Sequence, residues 1–165
     1  MSASAESVSS SVKPVPDNYP VMSPYLSIRD ATGAIDFYKR AFGAKERMRM
    51  ADPSGRVMHA EIEINGAVVM LAEECPQMDF YSPVKYGGSS TVMHCYVPDV
   101  DAFAVTAEGA GAIVMKPVET QFYGDRSVSF KDPYGHLWSF STHVEDVSHE
   151  EMQRRAAALF GGGGN

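Results

Sequence analysis

Residues 21–29 alternate, with Pro24, Leu26 and Ile28 on one side and Ser23, Tyr25, Ser27 and Arg29 on the other. A period of two with one apolar face predicts a half-buried strand. The spacing then changes, and Ile35, Tyr38, Ala41 and Phe42 recur at helical intervals. Asp30 stands where an N-cap belongs and Gly43 where a helix stops, so a helix is predicted over 31–42. Three more strands follow over 45–50, 57–64 and 67–73. They are separated by Asp52-Pro-Ser-Gly55 and by Asn65-Gly66, the strongest short hairpin signal in the chain. Residues 75–90 read as a linker, broken by Pro76, Pro83, Gly87 and Gly88, yet carrying Met78, Phe80, Tyr81 and Tyr86. Aromatic residues in such a loop are either packed down or used to cover a ligand.

The same order of elements then returns: a strand over 91–97, a helix over 100–108, and strands near 113–116, 127–131 and 136–142. Gly66 and Gly135 lie 69 residues apart, as do Asp30 and Asp99, and Gly43 matches Gly111 within one position. Asp132-Pro-Tyr-Gly135 sets a tight turn before the last of these strands. Trp138 and Phe140 point to one face of that strand, and Leu137, Ser139 and Ser141 to the other. A unit used twice constrains the fold more than any single motif. The fold class that follows is α+β: two βαβββ modules in tandem, 21–74 and 91–145, forming curved mixed sheets around a cavity, with the helices outside. Tyr25 and His94 are expected on the sheet faces away from the helices. A C-terminal helix is predicted over 148–159, opened by the capping box Ser148-His-Glu-Glu151. Residues 1–20 read as a flexible arm and 161–165 as a loose tail.

Composition narrows the function. The chain has 165 residues, 44% of them hydrophobic, enough to bury a sizeable core. No apolar run approaches the roughly 20 residues that span a bilayer, so no membrane partner is expected. The first 20 residues lack the basic start and apolar centre of a signal peptide. Two cysteines, Cys75 and Cys95, fit reduced thiols in a cytoplasm. A net charge of −7 without a clustered basic face argues against a nucleic-acid partner.

Three features together resemble the vicinal oxygen chelate superfamily over residues 21–145. These are the paired modules, the helix Asp30-x-x-x-Ala-Ile-Asp-Phe-Tyr-x-x-x-Phe-Gly43, and the closing Asp132-Pro-x-Gly-x-x-Trp-Ser-x-x-Thr-His143. The stretches Gln121-Phe-Tyr-Gly-Asp-Arg126 and Thr142-His143-Val-Glu-Asp resemble its PhnB-like branch, within the glyoxalase and bleomycin-resistance families. The resemblance implies a cavity that in most relatives holds a divalent metal, with a His or acid from the first strand and a Glu from the last strand of each unit. In bleomycin-resistance proteins it implies instead a metal-free ligand groove at a dimer interface. Carried over residue by residue, the metal positions fall on Ser23, Met70, Val92 and Ser139, none of them a strong ligand for a divalent ion.

The expectation is therefore a homodimeric small-molecule-binding protein without the usual metal site and without a cofactor. The alternative is a metal-dependent glyoxalase-like lyase or isomerase, or a dioxygenase, with a displaced site built from His59, His94 and Glu61 or Glu73. Whether the protein is an enzyme stays open. His59, His94 and Glu61 are the candidates for acid-base work, set against the plainer reading of hydrogen-bonded residues on a wet sheet face. Tyr25, Tyr96, Phe122, Tyr123, Arg126 and Ser139 are the candidate ligand-binding residues, with core packing the alternative for the aromatic ones and an Asp125–Arg126 ion pair the alternative for Arg126. Glu73, Glu74 and Cys75 read as a solvated edge, His143 as a hydrogen-bonding strand end, and His136 and His149 as surface residues.

Overall fold

A computed structural model describes residues 12–161. The expectations for residues 1–11 of the arm and 162–165 of the tail lie outside the described residues. The first module contains β1 (Tyr25–Ile28), α1 (Ala31–Phe42), β2 (Lys45–Ala51), β3 (Val57–Ile64) and β4 (Ala67–Glu73). The second contains β5 (Val92–Tyr96), α2 (Val100–Gly109), β6 (Ile113–Thr120), β7 (Asp125–Lys131) and β8 (Leu137–His143). A last helix, α3 (His149–Phe160), follows. Each module forms a four-stranded mixed sheet of the same order, β1-β4-β3-β2 and β5-β8-β7-β6, in which the first strand pairs in parallel with the fourth. This is the predicted tandem βαβββ architecture. The linker folds into two short 3-10 turns, Pro76–Met78 and Pro83–Tyr86.

Helix α1 starts on a double cap. The Asp30 side chain accepts from Gly33 N at 3.0 Å, and the Glu73 carboxylate accepts from the backbone N–H groups of Asp30 and Ala31, each at 2.8 Å. These contacts satisfy three of the four donors that a helix start leaves open, and they place a negative charge at the positive end of the helix dipole. The sequence reading of Glu73 and Glu74 as a solvated edge is thus corrected. Glu73 ties β4 to α1, and Glu74 accepts from Ser82 N at 2.9 Å while pairing with Arg29. Strand β6 runs past its predicted end because it is a sheet edge, where Pro117 removes no essential ladder hydrogen bond; the register breaks there, between Lys116 and Glu119.

One core joins the modules. α1 and α2 pack against each other, and Phe42 of α1 lies 5.8 Å from Phe103 of α2, 5.1 Å from Trp138 and 4.9 Å from Phe140. Tyr38 of α1 donates its hydroxyl to Asp132 at 2.6 Å, and Trp138 donates its ring N–H to the same carboxylate oxygen at 2.9 Å. The other oxygen of Asp132 accepts from Tyr134 N and His136 N at 2.9 Å each, so this carboxylate, 1% exposed, is fully engaged. His136, expected at the surface, is buried: its Nε2 meets the Ser27 carbonyl at 3.1 Å, because the β7–β8 turn presses on β1 of the other module.

The helices lie on the side of each sheet away from its polar face, as the alternation predicts. Leu26 and Ile28 enter the core and Met93 and Cys95 pack against it, whereas Tyr25 and Tyr96 stay 49% and 51% exposed. The two polar faces are not closed over one another within the chain.

Candidate functional site

On the open face of the first sheet, cross-strand pairing lines up Met48, Glu61, Met70 and Tyr25 in one row. Residues opposite one another in a ladder share a face, and this one is polar only in part. The Tyr25 hydroxyl meets His59 Nδ1 at 2.9 Å, and His59 Nε2 lies 3.4 Å from Glu61 Oε1. Glu61 is 4% exposed although it points away from the core. It is covered by the chain segment before β1, from which Tyr19 donates its hydroxyl to Glu61 Oε1 at 2.7 Å. The Arg47 guanidinium stands over the Tyr19 ring at 5.0 Å, and its Nη2 donates to the Asn18 carbonyl at 3.1 Å. Arg47 Nη1, 4.0 Å from Glu61 Oε2, has no hydrogen-bond partner. The bond to Glu61 pushes the Tyr19 phenol above its usual pKa, and burial does the same for Tyr25.

The linker covers the end of the same face. Phe80 packs 5.6 Å from Tyr25, and together with Met58 and Met78 they line a recess of about 190 Å³. Two anchors hold this loop: the Glu74 carboxylate on Ser82, and the Arg56 guanidinium on the Glu74 carbonyl.

The open face of the second sheet is built from small hydroxyls. His94, Ser139 and Ser129 lie opposite one another, and so do Tyr96, Ser141 and Ser127. The His94 and Tyr96 rings meet edge to face with centroids 5.1 Å apart. Tyr96 donates to Asp125 Oδ2 at 2.7 Å, and Asp125 Oδ1 meets His143 Nδ1 at 2.8 Å. The other His143 nitrogen meets Asp146 at 3.0 Å. Burial raises the Asp125 carboxyl, but the bonds from Tyr96 and His143 outweigh it and hold the group below its usual value. His143 is raised by Asp125 first and Asp146 second, and Tyr96 is raised by Asp125. Ser141 is fully buried, and its hydroxyl has no partner.

The sequence candidates divide between these two faces. His59, Glu61 and Tyr25 come together on the first; His94, Tyr96 and Ser139 come together on the second. Glu73 belongs to neither, since its carboxylate caps α1. Arg126 points to the helix side, where it grips Asp101 of α2 through two bonds of 2.7 Å. The expected Asp125–Arg126 pair does not form, because adjacent strand residues face opposite ways. Phe122 and Tyr123 meet edge to face at 5.2 Å beside α3, where Phe160 meets Phe122 at 6.0 Å and Arg155 binds the Phe122 carbonyl and Glu145. Sequence reasoning assigned no site role to Tyr19 or Arg47, and it offered Asp125 only as an ion-pair partner of Arg126. Of these only Asp125 had a readable signal, its two-residue alternation with Ser127 and Ser129.

The strand register shows which side chains stand beside Met70 and Ser139, and Ser23 lies before β1 begins. Met70 pairs with Tyr25 rather than Ser23, and Ser139 pairs with His94 rather than Val92. One imidazole among a phenol, a thioether and a hydroxyl is not the donor set of a divalent ion. Among the described residues no three His, Cys, Asp or Glu side chains converge as such an ion would need, so the residues present do not fit the group.

Two mixed sheets from a duplicated βαβββ unit, each with one helix-covered and one open face, define a paired-module α+β protein. The family model of the Glyoxalase/Bleomycin resistance protein/Dioxygenase superfamily matches residues 21–140, and the chain belongs to that superfamily. An uncharacterized protein of Mycobacterium bovis is 42% identical over 137 residues, which is 81% of this chain and 90% of that one. Among solved structures, TioX from Micromonospora sp. ML1 superposes with a TM-score of 0.59 at 26% identity, over 74% of this chain and 98% of its own. A PhnB protein from Bacillus cereus, 15% identical with a TM-score of 0.58 over 74% of this chain and 99% of its own, shares the fold.

Proposed function

We propose that this chain is a small-molecule-binding protein that holds its ligand against the open sheet faces through hydrogen bonds and aromatic contacts, without the superfamily's usual divalent metal. The observation that carries this reading is the pair of rows Tyr25–Met70–Glu61 and His94–Ser139–Ser129: the cavity-facing positions are kept, and their side chains suit polar and aromatic recognition better than chelation. Each open face leaves a half-exposed tyrosine, so a second copy of the chain completes the cavity in this reading, with the exposed Leu159 and Phe160 of α3 available to the contact. No described helix is long and apolar enough to cross a membrane. The two free thiols accord with a reducing cytoplasm.

A thermal-shift screen of the purified protein combined with metal analysis tests the proposal. A ligand that binds the native state raises the melting temperature by mass action, and it is expected to do so equally before and after chelator treatment. One tightly held divalent ion per chain, lost in His59→Ala or His94→Ala, would replace this reading with the metal-dependent lyase, isomerase or dioxygenase. Sedimentation of the full chain and of a chain lacking residues 147–165 checks the dimer and the part α3 plays in it.

A further inference from the structure

The corner formed by Glu61, Arg47 and His59 is already occupied, and the occupant comes from the chain itself. Tyr19 belongs to neither module and contributes to no strand or helix. It nevertheless makes the contacts a bound aromatic ligand would make: its hydroxyl donates to the buried Glu61 carboxylate at 2.7 Å, and its ring lies under the Arg47 guanidinium at 5.0 Å. Hydrogen bonds to an ionised acceptor are about twice as strong as neutral ones, and a guanidinium over the ring face adds an attraction of its own. A carboxylate kept 4% exposed on a sheet face that the core does not need is otherwise a cost without return. Arg47 Nη1 is buried without a partner, so Tyr19 leaves the corner's donors only partly satisfied.

We propose that this corner is a binding site for a phenolic hydroxyl on an aromatic ring, and that Tyr19 is its tethered occupant, displaced when a phenol enters. The proposal rests on the reading that the open faces bind small molecules, and it names the class of ligand the first face takes. The site chooses phenols over plain aromatic rings because the carboxylate must receive a proton donor. It disfavours carboxylates and other anions, which Glu61 repels. The arm sets a threshold: a free phenol must outcompete a ring held nearby by the chain, whose effective concentration is on the order of millimolar for a short flexible tether.

The probe is 4-methylphenol, the Tyr19 side chain freed from the backbone, and its affinity is measured by titration calorimetry. If the corner is open about a tenth of the time in the native chain, Tyr19→Ala binds the probe roughly tenfold more tightly than the native protein does. Toluene, which has the ring without the hydroxyl, is expected to bind at least tenfold more weakly than 4-methylphenol. Adding Glu61→Gln to Tyr19→Ala is expected to reduce the 4-methylphenol affinity by about tenfold, the range for losing a hydrogen bond to a charged group. A Tyr19→Ala protein that melts cooperatively but binds 4-methylphenol no better than the native chain, or binds toluene equally well, would overturn the proposal. If that variant does not fold, Tyr19→Phe weakens the occupant by removing only its bond to Glu61, and 4-methylphenol is again expected to bind more tightly than to the native chain; equal affinity overturns the proposal. Failure with phenols alongside a ligand that perturbs His94 and Tyr96 sinks this inference alone. A screen in which nothing binds either face sinks the reading beneath it.

Discussion

The two modules repeat one backbone and place their polar groups differently. In the first, the β3–β4 turn is Asn65-Gly66, exposed, with the Asn65 side chain donating to the Tyr96 carbonyl of the other module. In the second, the β7–β8 turn buries Asp132 and sends His136 to the Ser27 carbonyl, the reciprocal crossing contact. The open faces differ as well. Both hide an acid, but the first hides Glu61 under Tyr19 from outside the module, with Phe80 of the linker against Tyr25, whereas the second hides Asp125 under its own Tyr96 and His143 and is otherwise lined with serines. Strand pairing and helix placement have survived duplication because the backbone ladder demands them, while side chains outside that demand have been free to diverge.

The sharpest way to break this comparison is at the turns. Asp132→Ala leaves the Tyr38 hydroxyl and the Trp138 ring N–H buried and unpaired, and should cost about 3–5 kcal/mol in urea unfolding. Asn65→Ala, at the equivalent turn, removes one exposed donor and puts Ala where Asn tolerates the left-handed region (φ +46), and should cost about 1–2 kcal/mol. Equal losses would mean that the two turns carry similar weight. Glycines give a second, smaller contrast. A Cβ at Gly124 (φ +98) would stand 2.1 Å from the Glu145 carbonyl oxygen, whereas at Gly66 (φ +86) it would meet nothing within 4 Å. Gly66→Ala should therefore cost about 1–2 kcal/mol, the strain of a left-handed residue alone, and Gly124→Ala measurably more in the same melts.

The smallest expected effect is a pH dependence confined to the second module. His143 is raised above 6.5 by its carboxylate partners, so its contribution is fully present below that value and is lost as pH climbs through the raised folded pKa. Asp125 is depressed below 3.8, so its share is present above that value and is lost as pH falls through the folded pKa. Across about pH 5.5 to 8.5 His143 alone of this pair titrates and its share of stability falls with rising pH, whereas buried His136, lowered by desolvation, works in the opposite direction. In His143→Gln the falling share should disappear, which denaturant titrations at the two ends of that range read directly against the native protein; an unchanged pH dependence assigns it to other groups.

Much of the fold was legible because backbone demands recur with a period. Alternation placed Tyr25 and His94 on the open faces, and Asp30, Asn65-Gly66 and the Ser148 capping box marked ends that the structure keeps. Ser148 does accept from Glu151 N, at 3.2 Å. The polar wiring was less legible, since it depends on which distant residues the two modules bring together. His136 read as a surface turn residue because nothing local announces that β1 of the other module lies against it. Arg126 read as a pocket residue because its partner Asp101 is 25 positions away on a helix. Tyr19 gave no signal at all: it lies in a segment without periodicity, and its role depends on a carboxylate 42 residues further along.

The bond between Tyr38 and Asp132 spans 94 residues and joins a helix of the first half to a turn of the second. Its consequence concerns how the chain comes into being on the ribosome. When the first half has emerged, Phe37, Tyr38 and Phe42 have a sheet on one side and nothing on the other, so the early half must wait with an aromatic stripe uncovered until the last hairpin arrives. Duplication here has produced two pieces that look alike and can no longer live apart: a gene cut between them should yield fragments that aggregate singly and regain structure only when mixed.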